Sequence, residues 1–213
     1  MAECYMRAVI FDLDGTLIDS DPDILAALNR VLVAHGRATL SRAEIKPMIG
    51  DGAKALVERA FAARGGVGGA DELAAFLDDY AANDVVDTAP YPGIMDVLET
   101  LRAAEHPMGV CTNKPEAAAR SILAKLGLEP FFNVVTGGDS TPYRKPDPRH
   151  LGATLAAMGV EDAVMIGDHI NDISAAAGLG VPSIFVSWGY GHAQGSHAAD
   201  HPAELPGLIA QMG

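Results

Sequence analysis

Arg7-Ala8-Val9-Ile10-Phe11-Asp12-Leu13-Asp14-Gly15-Thr16 is the stretch whose reading decides the fold of this chain. Its first half is apolar and rich in β-branched residues, which predicts a buried strand. Its second half is polar and breaks at Gly15, which predicts a turn. Asp12 and Asp14 therefore stand at i and i+2 directly after a buried strand, pointing to the same side of an extended chain. Nothing in folding calls for two acids there, where they repel each other and lose hydration. A single turn or capping aspartate is ordinary, but a pair is not. A calcium loop would need further oxygen ligands at set spacings and a late Glu, and these are absent.

Similar apolar runs follow at 108–111, 134–135, 163–166 and 183–186, and helical patterns lie between them at 93–104, 115–126, 148–158 and 171–177. Strands alternating with helices of this length predict an α/β fold, a Rossmann-like parallel sheet with helices on both faces. Ligands of such sheets gather at the carboxyl ends of the strands. The alternation fails from Ile18 to Pro90, where no strand is expected and helices are predicted at 21–36, 42–47, 53–63 and 71–86. In the first of these, Asp21-Pro22 suits a helix start, and Ile24, Leu25, Leu28 and Leu32 form one apolar stripe. Gly65-Gly66-Val67-Gly68-Gly69 follows helix rather than strand, so it reads as a connection and not a dinucleotide loop. The expected organisation is a core of residues 1–16 and 90–213, with a helical domain of residues 17–89 inserted after the first strand.

The composition of the 213 residues bounds the function. Lys and Arg number 15 against 28 Asp and Glu, a formal net charge of −13, which argues against a nucleic-acid partner. No apolar run reaches the roughly 18 residues of a membrane-spanning helix, and Met1 to Arg7 lacks the pattern of a secretory signal. Cys4 and Cys111 cannot build a disulfide framework or a four-ligand zinc site alone. These features predict a cytoplasmic protein, and no heptad or symmetric patch decides between a monomer and a homodimer.

Three further strings carry chemistry. Met165-Ile166-Gly167-Asp168-His169-Ile170-Asn171-Asp172 places Asp168 at a strand end and Asp172 four residues on. Asp168 could be an ordinary helix cap. Taken with Asp12 and Asp14, however, the string would bring up to four carboxylates to one sheet edge, and such a group asks for a hard divalent cation such as Mg²⁺. Thr112-Asn113-Lys114 ends another strand with a hydroxyl and an amide, whereas Lys114 reads as a surface lysine. Arg144-Lys145-Pro146-Asp147-Pro148 fixes Lys145 before two prolines, where it suits a phosphate or a nucleophilic carboxylate.

Together these strings resemble the haloacid-dehalogenase-like phosphohydrolases and, within them, the phosphoglycolate phosphatase group. The resemblance covers about residues 7–209, with Asp12–Thr16, Thr112-Asn113, Lys145 and Gly167-Asp168 through Asp172 in the family's order. Tyr91-Pro92-Gly93, Thr112-Asn113-Lys114-Pro115 and Trp188-Gly189-Tyr190-Gly191 are closer group features. It implies that the insert is a helical cap and that the chain is a Mg²⁺-dependent phosphatase of a small-molecule phosphate ester. By the same resemblance Asp12 is the nucleophile and Asp14 the acid and base. Asp12, the backbone carbonyl of Asp14, and Asp168 would bind Mg²⁺, with Asp172 orienting its waters. Thr112, Lys145 and Asn113 would hold the phosphoryl oxygens. Asp14 sets the chain apart from the dehalogenase and phosphonate-cleaving branches and favours ester hydrolysis. The alternatives are another small-molecule phosphatase or a sugar phosphomutase of the same scaffold and, from another class, a phosphate-binding module without turnover.

The remaining signals are local. Gly50-Asp51-Gly52 with Lys54 opens a helix in the insert, where Lys54 could receive a small substrate carboxylate or simply be solvated. His169 stands where the group has Ser or Thr, and reads as an outward side chain or as an influence behind the metal. His192, His197, His201 and Asp200 fall in a Gly/Ala-rich stretch that reads as a surface tail rather than a zinc site. Cys111 reads as a buried apolar side chain.

Overall fold

The computed structural model describes residues 6–193 and 197–212, so Cys4 lies outside the described residues. The chain runs β1 (Ala8–Phe11), β2 (Ile18–Asp19), α1 (Asp21–Ala34), α2 (Arg42–Ile45), α3 (Ala53–Ala63), α4 (Ala70–Ala82) and β3 (Ala89–Pro90). It continues with α5 (Ile94–Ala103), β4 (Met108–Cys111), α6 (Glu116–Lys125), β5 (Val134–Thr136), α7 (Pro148–Met158) and β6 (Ala163–Gly167). The last elements are α8 (Ile170–Leu179), β7 (Ser183–Val186), β8 (His197–Ala199) and α9 (Leu205–Gln211).

Six strands form one parallel sheet in the order β5-β4-β1-β6-β7-β8, so the fold is α/β as the sequence predicts. Alternation along β1 sends Val9 and Phe11 into the larger apolar cluster with α5 and α6. Ala8 and Ile10 go to the opposite face, against Leu151 and Leu155 of α7 and Ala175 and Ala176 of α8. The strand is buried on both faces, which explains its unbroken apolar run. Register then places the site. Phe11 lies level with Val110 of β4 and Ile166 of β6, so the next residues of all three strands emerge side by side. The chain runs from β1 to β4 on one side and returns to β6 on the other, which opens a crevice above β1.

Helices α1, α3 and α4 pack on one another, with Leu28, Val57, Phe61 and Phe76 buried between them. Contrary to the expectation of no strand between 18 and 90, the two chain passes into this bundle pair antiparallel. Ile18 lies against Pro90 and Asp19 against Ala89. Strands of two residues carry no period, so sequence pattern cannot find them. Helix α4 also stops at Ala82 rather than at 86. The buried carboxylate of Asp23 on α1 accepts hydrogen bonds from the backbone N–H groups of Val86, Asp87 and Thr88 and from the Thr88 hydroxyl. Those donors replace the helical pairing that would have extended α4. Within the stretch expected to be a plain surface tail, His197–Ala199 forms β8 and pairs with β7, with His197 and Ala198 exposed; beyond it, α9 buries Leu205 and Ile209.

Candidate active site

The carboxyl ends of β1, β4 and β6 carry Asp12, Thr112 and Asp168. The backbone N–H of Asp12 still donates to the carbonyl of Ile166 at 2.9 Å, which fixes the aspartate where the strand ends. Asp12, Asp168 and Asp172 are buried and bring carboxylate oxygens within 4.8 Å of one another; among the described residues they are the one such His, Cys, Asp or Glu group able to hold a metal. Asp168 sits under a loop of small residues. Its Oδ2 accepts the N–H groups of Tyr190 (2.7 Å) and Gly191 (3.1 Å). Gly15 has φ +81°, and a Cβ there would fall 2.4 Å from Asp168 Oδ2, so the turn after β1 needs glycine both for its backbone and for space.

Lys145 provides the positive charge. It is 3% exposed, and its Nζ lies 2.9 Å from Asp12 Oδ1 and 2.5 Å from Asp172 Oδ1. Burial opposes an ammonium, yet the carboxylates of Asp12 and Asp172 hold its pKa above the ordinary lysine value. The Lys145 backbone is clamped by Asn113, whose Oδ1 accepts the Lys145 N–H and whose Nδ2 donates to the Lys145 carbonyl (2.9 Å). Three carboxylates facing one ammonium remain short of positive charge. Burial and the neighbouring charge of Asp12 push Asp168 up to about 6, and burial likewise raises Asp172. Asp12 Oδ1 accepts no aligned hydrogen bond even beside Lys145. A buried, all-oxygen, electron-rich set of this kind fits a hard divalent cation.

The structure gathers three of the four expected carboxylates. The Asp14 side chain turns away from the cluster to Lys114, whose Nζ lies 2.9 and 3.0 Å from its two oxygens, and Ser20 Oγ donates to it at 2.6 Å. This leaves the Asp14 backbone carbonyl as the only group that residue can offer the cluster. Lys114 is not a surface lysine. It is 8% exposed, and its ammonium stands 4.6 Å from the ring centre of Tyr80 on α4. Burial opposes its charge as well, but Asp14 and Tyr80 hold its pKa above the ordinary value. Sequence reasoning missed this residue because its partner lies a hundred positions away.

Asp12, Asp14, Thr112, Lys114 and Tyr80 line one cavity of about 60 Å³ between the sheet edge and the helical bundle. Asn113 also lines it, but both ends of its side-chain amide are engaged, with the Lys145 backbone and, at 2.9 Å, with the carbonyl of Gly50. Lys54 is not brought there. Its side chain is 67% exposed and pairs with Glu58 one turn along α3; it lines a neighbouring cavity with Arg144 and Asp139 instead. His169 is not an outward side chain. Its Nδ1 accepts the N–H of Asn171 at the start of α8, and its ring packs against Gly50. Burial pushes the Cys111 thiol up to about 11, which agrees with an inert apolar role.

Residues 9–186 match the model of the family described as haloacid dehalogenase-like hydrolase. The chain belongs to this family. The hydrolase is 46% identical over 196 residues to a protein of Rhodospirillum rubrum named phosphoglycolate phosphatase, covering 86% of this chain and 80% of that one. A protein of the same name from Caulobacter vibrioides is 43% identical over 188 residues, covering 85% and 79%. Among solved structures, a predicted phosphoglycolate phosphatase from Haemophilus somnus superposes on the hydrolase with a TM-score of 0.88 at 27% identity, covering 95% and 97% of the two chains. No helix among the described residues is long and apolar enough to cross a membrane.

Proposed function

We propose that this chain is a Mg²⁺-dependent phosphomonoester hydrolase that converts 2-phosphoglycolate to glycolate and inorganic phosphate through a phosphoryl group carried on Asp12. The observation that carries the reading is the placement of Asp12 at a cavity floor beside Lys145, with Asp14 on the same cavity wall. The names of the curated relatives support the choice of substrate.

In this reading an Asp12 carboxylate oxygen attacks phosphorus, and the bond to the ester oxygen breaks as the new P–O bond forms. Asp14 gives its proton to the leaving alkoxide. It then takes a proton from the water that attacks the aspartyl-phosphate, which releases phosphate and restores Asp12. Lys145 holds Asp12 in place and, with Thr112, offsets charge on the phosphoryl oxygens. Asp12, Asp168 and the Asp14 carbonyl would hold Mg²⁺, with Asp172 behind them. When bound, the ion supplies positive charge that lets a dianionic ester approach a carboxylate. The helical segment of residues 17–89 acts as a cap that shuts water out of the cavity.

A panel of phosphate esters, read by free phosphate with and without Mg²⁺, tests this. The expected result is phosphate release from 2-phosphoglycolate only with the metal. Isomerisation of a sugar phosphate without phosphate release would replace the hydrolase with a mutase, and absence of turnover on every ester would leave a binding module.

A further inference from the structure

We infer that the Lys114 ammonium and the Tyr80 hydroxyl form a receptor for a carboxylate on the leaving group, so that the site selects phosphate esters of small hydroxy acids. The inference rests on the hydrolase reading above and adds the determinant of its substrate class.

Three observations lead to it. Lys114 is the only cation among the described residues lining the cavity, and Ile24, Ile49, Leu56 and Phe76 give the remaining wall an apolar character. No second cationic side chain among the described residues lines this cavity; Lys54 and Arg144 line the neighbouring one. The second observation is Tyr80. It is 4% exposed, it stacks on Phe76 with ring centres 5.7 Å apart, and its buried hydroxyl faces the Lys114 ammonium while its own O–H donates to no acceptor. A buried phenol whose O–H has no acceptor is costly. Tyr80 therefore waits for an acceptor, and a carboxylate oxygen is one.

The third observation is the order of the groups. Lys114 touches both oxygens of Asp14, the residue that protonates the leaving oxygen. In glycolate the carboxylate carbon is two bonds from that oxygen. A cation in contact with Asp14 is thus adjacent to a carboxylate on the same leaving group. An ammonium has three donors, so Lys114 can keep Asp14 and take a substrate oxygen at once. An ester without the carboxylate leaves the Tyr80 O–H without an acceptor, and a site of this type discriminates against such an analogue.

The test compares 2-phosphoglycolate with 2-hydroxyethyl phosphate, which carries a neutral hydroxymethyl group in place of the carboxylate. Both are measured with wild type, Lys114→Met and Tyr80→Phe, and kcat and KM are read separately. Wild type is expected to favour phosphoglycolate by about 100-fold or more in kcat/KM, the scale of two charge-assisted hydrogen bonds. Lys114→Met should compress that ratio to less than about tenfold, chiefly through KM for phosphoglycolate. Tyr80→Phe should reduce it by about five- to tenfold with the fold intact by circular dichroism. A ratio unchanged from wild type in Lys114→Met overturns the receptor, as does a wild type that hydrolyses both esters equally. If Lys114→Met does not fold, Tyr80→Phe decides, and an unchanged ratio there overturns the receptor. A wild type that ignores phosphoglycolate while hydrolysing other esters overturns the substrate reading instead.

Discussion

Binding of Mg²⁺ to the protein at two pH values reads the charge balance of the carboxylate cluster. Asp168 titrates at about 6 in the folded protein against 3.8 in the unfolded chain, raised by burial and by Asp12. The difference, roughly 2 pH units, corresponds to about 3 kcal/mol. A carboxylate that binds its proton more tightly when folded makes stability fall as pH rises, here between about 4 and 6. His150 works in the opposite direction. Burial lowers it from 6.5 to about 4, so its contribution to stability grows as pH rises through that window. The two slopes oppose each other in a plain stability curve. The metal-dependent part isolates the cluster, because His150 lies outside it. Mg²⁺ competes with protons for the same oxygens, so its affinity should follow the ionised fraction. With Asp168 at about 6, that fraction falls to about a tenth at pH 5, and the Kd for Mg²⁺ should rise about tenfold from pH 7.5, or about 1.4 kcal/mol. Asp172, also raised, adds to the same direction. Calorimetric titration of the substrate-free protein measures both values. A Kd that agrees within about twofold at the two pH values would refute the charge argument.

Gly15→Ala should lower Mg²⁺ affinity and kcat/KM by at least about tenfold, since its Cβ would displace Asp168 and its φ of +81° would cost roughly 1–3 kcal/mol; metal titration and phosphate release read both. Lys54→Ala should leave KM within about twofold and stability within about 0.5 kcal/mol, because an exposed i,i+4 pair contributes little; a large rise in KM would put Lys54 back in the site. Asp23→Asn should destabilise the protein by about 2 kcal/mol in urea melts, since one buried carboxylate holds the backbone of residues 86–88. Burial works against the Asp23 charge, but the hydrogen bonds from Thr88, Val86 and Asp87 outweigh it and lower its pKa, so its contribution is present above pH 3.8 and lost as pH falls through the folded value.

The strand tips were legible in the sequence because each combines an apolar run with a polar residue at its end. Asp12, Thr112 and Asp168 all follow that rule, and parallel pairing makes their convergence a matter of register. Lys145 was legible for a different reason, since two prolines fixed its neighbourhood. What stayed hidden depends on contacts between distant segments. Lys114 has no local mark, and its burial follows only from Asp14 on β1's turn and Tyr80 on α4. Lys54 had a suggestive glycine turn beside it, but its side chain pairs with Glu58 and lines a neighbouring cavity, which the turn alone does not reveal. Asn113 was read as a phosphate ligand because an amide fits that role, whereas its amide closes on the Lys145 backbone. The two-residue strands β2 and β3 and the strand β8 are too short to imprint a pattern.

Acid-quenched turnover followed by mass spectrometry of the peptide that contains Asp12 is the most direct measurement. A phosphoryl group on Asp12 during turnover of 2-phosphoglycolate, lost together with activity in Asp12→Asn, is the predicted result. Full-rate hydrolysis by Asp12→Asn, or steady turnover with the phosphoryl group on another residue, would contradict it.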